Sequence, residues 1–312
     1  MYLIFTEPLD YPTNFALKWF SYYRKDVLCI NKDTALKVKI DDLNNPTFIF
    51  GNKKIKLCEI EGVWFRRSTL KIQYQAFYKS DLIDRNLKIY HQKVKEEVEE
   101  YLNYLLFKKL NSIGNPLCIN VNKLTILSMA EEVGLLTPKT FMASSDEIEI
   151  LKKFDNEIIT KLVFPLPPMI EGKQLRSLTT RFNINEFIDT DFALSLFQKR
   201  IDKNFEIRIF YLKGTLFAKA IFSQNDPTTV EDYRNYNHEK PNRVVPFEVP
   251  EKICKKLKKL MQRAGLDTGS IDMIVDQDNN FLFLEVNPVG QFSEFYFQCN
   301  YPLEREIVKE LI

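Results

Sequence analysis

The sequence predicts an α/β (α+β) protein of more than one domain, and three observations predict it. The chain has 312 residues, length for two domains at about 150 residues each, or for three small ones. Its first part alternates short apolar runs with stretches of helical period, as strand–helix–strand units do. Its last third holds two pairs of apolar runs joined at Lys213-Gly214 and at Asp276 to Asn280, the pattern of antiparallel hairpins.

Taken in order, Tyr2 to Phe5 is a short apolar strand, followed by an amphipathic stretch from Phe15 to Tyr23. Strands follow at Val27–Ile30, Val38–Ile40, Phe48–Phe50 and Ile55–Leu57, with Gly51-Asn52 as a turn. The run Val63-Trp64-Phe65 ends in Arg66-Arg67, and Asp84 to Leu110 reads as a helix with apolar positions at Val94, Val98, Tyr101, Leu102 and Leu105. Gly114-Asn115-Pro116 breaks the chain, which sets a first domain over 1–115. In the middle segment, 116–190, Asn122 caps a helix from Leu124 to Val133 and Gly134 ends it. Pro138–Met142 is a strand, Asp146–Phe154 a helix, and Glu157–Phe164 a strand carrying one lysine, Lys161; a loop spans Pro165 to Ser177. The last segment, 191–312, opens with a helix at Asp191–Lys199. The hairpin Phe205–Leu212/Leu216–Phe222 follows, then a basic amphipathic helix from Glu251 to Ala264 ended by Gly265. A second hairpin pairs Ser270–Val275 with Phe281–Asn287, and a helix begins near Leu303.

Composition excludes several classes. Hydrophobic residues are 45% and charged residues 28%, a globular balance rather than a disordered one. The 44 basic and 42 acidic residues leave a net charge of +2, so no global field points to nucleic acid or an anionic membrane. The nine glycines fit no G-x-G-x-x-G, G-x-S-x-G or phosphate-loop spacing, and His91 and His238 form no H-E-x-x-H. Five cysteines without a C-x-x-C pair suit a reducing cytosol. The N-terminus has no basic leader and no apolar run nears 18 residues, so the expected location is the cytoplasm, with no membrane partner.

The second hairpin carries the chemistry. Asp272 lies in its first strand, Glu285 and Asn287 in its second, and residues two apart on a strand share a face. Antiparallel pairing can bring Asp272 opposite the Glu285 region. Two carboxylates and an amide oxygen are hard donors suited to Mg²⁺ held with nucleotide phosphates. Their neighbours Ile271, Met273, Ile274, Leu284 and Val286 have the character of buried residues, and buried acids need a partner or a metal. Lys161 sits among apolar residues, as a snorkelling lysine or a phosphate ligand. Arg208 alternates with Ile207 and Ile209, so it faces either a cross-strand partner such as Glu206 or a ligand anion. Arg66 and Arg67 are either an exposed strand end or part of a ligand site at the carboxyl end of a sheet strand; Lys123 is either a solvated helix cap or a ligand, and Asp232 and Arg234 either pair locally in a loop or serve a function. The cysteines and histidines read as structural, and Lys255-Lys256-Leu257-Lys258-Lys259 as a solvated helix face.

The segment I-D-M-I-V-D-Q-D-N-N-F-L-F-L-E-V-N-P, with Asp272 thirteen residues before Glu285, resembles the metal-binding hairpin of the ATP-grasp family. F-E-I-R-I-F-Y-L-K-G-T-L-F-A-K-A is similar to that family's preceding strand pair, N-K-L-T-I-L-S-M-A-E-E-V-G-L-L-T-P-K-T to the start of its central domain, and I-I-T-K-L-V to its second nucleotide-lysine strand. The resemblance covers roughly residues 118 to 300. It implies an N-terminal Rossmann-like pre-ATP-grasp domain, a small central α/β lid domain and a C-terminal antiparallel-sheet domain. It also implies ATP and Mg²⁺ as cofactors, with Asp272, Glu285 and Asn287 as metal ligands and Lys123, Lys161 and Arg208 as nucleotide ligands. Family lids are often glycine-rich, whereas Pro165–Ser177 holds one glycine, Gly172.

A narrower resemblance, to the graspetide synthetases (microviridin-type macrocyclases, and most of all their grasp-with-spasm branch), rests on V-W-F-R-R-S at Val63–Ser68, D-Y-R at Asp232–Arg234 and N-P-V-G-Q-F-S-E-F from Asn287. It implies a ligase that activates Asp or Glu side chains of a ribosomal precursor peptide as acyl phosphates. Ser or Thr hydroxyls, or Lys amines, of the same peptide then close ester or amide rings. Arg234, with Arg66, would hold the acceptor carboxylate, since a guanidinium fork fits it bidentately, while Arg208 would face the reacting phosphate. The implied partners are the precursor's leader and core, and a second copy of the chain in a homodimer. Two rival readings are a ligase adding free amino acids to a carboxyl group and a non-catalytic peptide-binding scaffold.

Overall fold

In the computed structural model the described residues are 1–73, 85–152, 157–164, 169–170, 173–174, 178–183, 191–235, 237 and 239–312. The first elements are β1 (Tyr2–Phe5), α1 (Tyr11–Tyr22), β2 (Val27–Ile30), β3 (Leu36–Lys39), β4 (Thr47–Phe50), β5 (Lys53–Lys56), β6 (Gly62–Phe65), α2 (Arg85–Lys109) and β7 (Asn111–Ile113). Then come α3 (Lys123–Glu132), β8 (Thr140–Ala143), α4 (Ile148–Lys152), β9 (Ile158–Lys161), β10 (Met169–Ile170), β11 (Lys173–Gln174) and β12 (Thr180–Arg181). The chain continues with β13 (Ser195–Lys199), β14 (Lys203–Leu212), β15 (Thr215–Phe222), β16 (Arg243–Pro246), α5 (Glu251–Arg263), β17 (Thr268–Asp276), β18 (Phe281–Asn287), α6 (Glu294–Cys299) and α7 (Leu303–Leu311). Most of the loop expected at Pro165–Ser177, with Gly172, lies outside the described residues, as do Asp84, Phe154 and His238.

The chain forms two compact units. The first is Met1–Asn120, Gly265–Gly269 and Pro288–Ile312; the second is Val121–Ala264 and Ser270–Asn287. The segment expected as 191–312 is therefore shared, its tail from Pro288 returning to the first unit.

The first unit is built on a parallel sheet of order β2-β1-β6-β7. All four residues of β1 and of β6 are buried, the continuous apolar reading of a strand covered on both faces. From β1 the chain crosses to β2 and from β6 to β7, in opposite directions, so the sheet has a switch point between β1 and β6. Asp10 caps α1, its carboxylate accepting from the Thr13 amide at 3.1 Å. Leu102, Leu105 and Leu106 of α2 join Leu3, Phe5, Val63 and Phe65 and the β3-β4-β5 residues Leu36, Phe48 and Ile55 in one core. Gly114 has φ +83°, and a Cβ there would lie 2.4 Å from the Phe65 carbonyl oxygen. Only glycine fits that turn.

The second unit holds two antiparallel sheets, β12-β9-β13-β8 and β16-β15-β14-β17-β18. Asn122 caps α3 as expected, accepting from the Thr125 amide at 3.0 Å, and Gly134 follows with φ +81°. The helix expected at Asp191–Lys199 is instead strand β13. Leu196, Phe197 and Gln198 are all buried between the ladders of β9 and β8. A short apolar run suits either structure locally, and these two non-local ladders decide for the strand.

Candidate active site

The hairpin β17–β18 sets the geometry. Its turn is held by Asp276, whose carboxylate accepts from the amides of Asp278 and Asn280 at 3.0 and 2.8 Å. The register places Asp272 directly opposite Glu285 and Ser270 opposite Asn287, so both acids and the amide share one face. A bulge falls immediately after Asp272, where Met273 pairs with Phe283 and Leu284 is the extra residue. Bulges re-aim side chains at the ends of ladders and occur next to active sites. Met273 and Phe283 are fully buried on the core side.

Three cations converge on this pair of acids. Lys123, at the first position of α3, has its Nζ 3.0 Å from Glu285, and the same ammonium donates to the Leu162 carbonyl at 3.1 Å. Lys161, at the end of β9, is 4.0 Å from Glu285. Arg208 on β14 donates to Asp272 at 3.2 Å, and Lys219 lies opposite Arg208 on β15. Burial lowers the Lys161 ammonium, with Glu285 opposing the shift. Burial pushes the Asp272 carboxyl up despite Arg208. At Glu285 burial acts in the same direction, but Lys161 and Lys123 outweigh it and hold that carboxyl below its ordinary value.

The segment expected to grip a carboxylate already grips one. Arg234 makes a two-point fork with Asp232, Nε to Oδ1 at 2.8 Å and Nη2 to Oδ2 at 2.6 Å. Asp232 is buried and also accepts from the amides of Thr179 and Arg234 at 2.9 and 3.0 Å. Burial opposes ionisation of Asp232, but Arg234 outweighs it and lowers the pKa. Between these two residues, Tyr233 accepts a 2.7 Å hydrogen bond from Arg208. Glu206, named as a possible partner of Arg208, is instead paired with Lys203 and accepts from Ser223.

Lys123, Lys161, Gln198, Tyr233, Arg234, Asp272 and Glu285 all line one cleft of the second unit. Sequence reasoning missed Gln198 and gave Tyr233 no role. Thr140 donates its hydroxyl to the Pro138 carbonyl at 2.7 Å, so it must accept at 2.8 Å from the Gln198 amide nitrogen. That leaves the Gln198 Oε1 buried with no donor among the described residues. Such an orphan acceptor costs about 1–3 kcal/mol unless something supplies an N–H or O–H.

Arg66 belongs to the first unit and is 3% exposed. It donates to Asp10 at 3.3 Å, to the Val289 and Gly290 carbonyls at 3.0 Å each and to Gln291 at 3.3 Å. Its guanidinium also lies 4.9 Å from the Phe292 ring centre, and that ring is 6.4 Å from Trp64. Trp64 and Arg66 thus interlock with the segment Val289–Phe292 in one cluster of the first unit. At least four of the five guanidinium donors are committed there, so a two-point grip on an incoming carboxylate would require breaking these bonds. Arg67 keeps 34% of its side chain exposed.

The donor set fits a hard divalent cation. Asp272, Glu285 and Asn287 offer oxygen alone, on one face, and the burial penalty on ionised Asp272 is the penalty a cation relieves. Among the described residues no three His, Cys, Asp or Glu side chains gather into a metal site, so a three-donor set on this face would have to include the amide oxygen of Asn287.

No known family profile matches the chain, and no curated protein matches it by sequence. Solved structures do. Macrocyclase MdnC from Microcystis aeruginosa MRC, bound with precursor peptide MdnA, matches with a TM-score of 0.75 at 23% identity, over 99% of this chain and 98% of that one. A RiPP-associated ATP-grasp ligase of Chryseobacterium gregarium, in complex with ADP and a leader and core peptide, matches at 0.74 and 22%, over 99% and 94%. ATP-grasp ligase PsnB, complexed with minimal precursor, Mg and ADP, matches at 0.71 and 13%, over 99% and 96%. Over its whole length, the chain has the fold of the ATP-grasp ligases.

Proposed function

We propose that this protein is an ADP-forming ligase that activates Asp or Glu side chains of a ribosomally made precursor peptide and joins them to hydroxyl or amine side chains of the same peptide. The observation that carries this reading is the direct pairing of Asp272 with Glu285 inside a ring of Lys123, Lys161 and Arg208. Peptide complexes of structures with this fold supply the substrate class.

Asp272, Glu285 and Asn287 would hold Mg²⁺, which neutralises phosphate charge when bound. Lys123, Lys161 and Arg208, now resting on carboxylates, exchange these partners for phosphate oxygens of ATP. Each cation thus stays paired throughout, and its position is preorganised before the nucleotide arrives. The orphan Gln198 acceptor takes the exocyclic amine of adenine. The substrate carboxylate attacks the γ-phosphorus, ADP departs, and an acyl phosphate forms. A peptide hydroxyl or amine then attacks the acyl carbon and phosphate leaves. Arg208 stabilises the phosphoryl charge. Arg234, its planar fork fixed by Asp232, presents its remaining edge to the acceptor carboxylate. Arg66 takes a supporting part, fastening the segment Val289–Gln291. The second unit corresponds on this reading to the central and C-terminal ATP-grasp subdomains, and the working form is a cytoplasmic homodimer. No described helix is long and apolar enough to cross a membrane.

The test is incubation with Mg·ATP and the short peptides encoded beside the gene. The expected product is lighter by one water per bond, with ADP released. A mass gain of one amino-acid residue would indicate the free-amino-acid ligase, and binding without ADP release the scaffold.

A further inference from the structure

Tyr233 is a polar side chain of the cleft to which the reaction above gives no part. Its phenolic oxygen is already an acceptor, receiving Arg208 Nη1 at 2.7 Å, and the same Nη1 reaches Asp272 at 3.2 Å. The hydroxyl's own proton must therefore point elsewhere. Among the described residues no hydrogen bond takes up that proton. Tyr233 lines the cleft, and burial raises the pKa of its hydroxyl, so the proton stays on at neutral pH. A hydroxyl that accepts from a guanidinium is polarised into a stronger donor.

We propose that Tyr233 is a further site residue, giving its hydroxyl hydrogen bond to an anionic oxygen of the transferring phosphoryl group while Arg208 polarises it from behind. This rests on the ligase reading of the cleft. The phosphoryl group is the favoured acceptor because Arg208 ties Tyr233 directly to Asp272, a residue of the metal set. The contact forms as charge moves onto the oxygens in transfer, so it adds little to the binding of ADP alone.

The probe is Mg·ADP with and without aluminium fluoride, a mimic of the phosphoryl group in transfer, read by titration calorimetry on wild type and Tyr233→Phe. Wild type should bind Mg·ADP more tightly once fluoroaluminate is added. Tyr233→Phe should bind Mg·ADP within about threefold of wild type but lose ~10- to 100-fold of that tightening, the range of a hydrogen bond to a charged group. An undiminished tightening in Tyr233→Phe overturns the inference and leaves the ligase reading standing. A wild-type protein that binds no Mg·ADP overturns both. If Tyr233→Phe melts below the assay temperature, 3-fluorotyrosine at 233 takes its place. It keeps the ring and donates more strongly, so the tightening should match or exceed wild type, and a fall in it refutes the donor role.

Discussion

Glu285→Gln is the substitution whose consequences the structure specifies in most detail. The change is isosteric and removes one charge from a carboxylate that lies 3.0 Å from Lys123 and 4.0 Å from Lys161. Both Lys123 and Glu285 keep about a quarter of their side chains exposed, 29% and 24%, so without ligand the loss should be about 1 kcal/mol. The pH dependence has a definite sign. Lys161 already titrates below its ordinary 10.5 when folded, chiefly through burial, with Glu285 opposing. Between the lowered and the ordinary value the unfolded chain binds more protons, so stability rises with pH. Removing Glu285 lowers Lys161 further and widens that window, so the deficit of the variant should shrink as the pH is raised. Ligand binding is hit harder. At a concentration 100 times Kd, Mg·ATP stabilises the native state by about 2.7 kcal/mol, and a 100-fold weaker Kd cuts this to about 0.4 kcal/mol. Turnover should fall ~10²- to 10³-fold, the cost of losing one preorganised electrostatic contact. The assays are thermal unfolding with and without Mg·ATP, and ADP release with peptide. Wild-type turnover with an undiminished thermal shift would remove Glu285 from the metal set.

Three further outcomes are expected. Arg234→Lys keeps the charge but loses the fork with Asp232, so kcat or the KM for peptide should suffer while the Kd for ATP stays within about threefold; equal weakening of ATP binding would place Arg234 at the phosphates. Gln198→Met removes the orphan acceptor, so a wild-type preference for ATP over ITP of ~10-fold should flatten; competitive nucleotide binding measures it, and an unchanged preference contradicts the assignment. Arg66→Met leaves Asp10, its side chain 1% exposed, with Arg67 at 3.9 Å as its remaining ion-pair partner among the described residues, so urea unfolding should show a loss of about 3 kcal/mol, the low end for a broken buried pair; a loss below about 1 kcal/mol would mean the cluster is not held by this pair.

The β17–β18 hairpin and the shared face of its acids were legible because their information is local. Alternation puts Glu285 and Asn287 on one face, and the turn residues Asp276 to Asn280 leave few registers in which Asp272 can meet them. The α3 cap at Asn122 was legible for the same reason. What escaped depends on distant chain. Ser195–Lys199 carries too short an apolar run to distinguish strand from helix, and β8 and β9 decide it; the helical expectation hid Gln198 in consequence. The burial of Arg66 comes from Val289 to Gln291, more than 220 residues away, and no pattern around Arg66 announces that loop. Tyr233 was visible inside D-Y-R but had no partner until the strand carrying Arg208 came beside it.

The central claim is that the carboxylate is activated by phosphorylation in this cleft. It is tested most directly by the fate of the carboxylate oxygen. A substrate peptide carrying ¹⁸O in its Asp and Glu side chains, treated with Mg·ATP, should release phosphate containing one ¹⁸O for each bond formed, because the oxygen that attacked the γ-phosphorus leaves with it when the acyl carbon is captured. Mass analysis of the phosphate reads this without assumptions about ring number. Bond formation accompanied by phosphate free of ¹⁸O would contradict acyl-phosphate chemistry, and with it the role given to Asp272, Glu285 and their three cations.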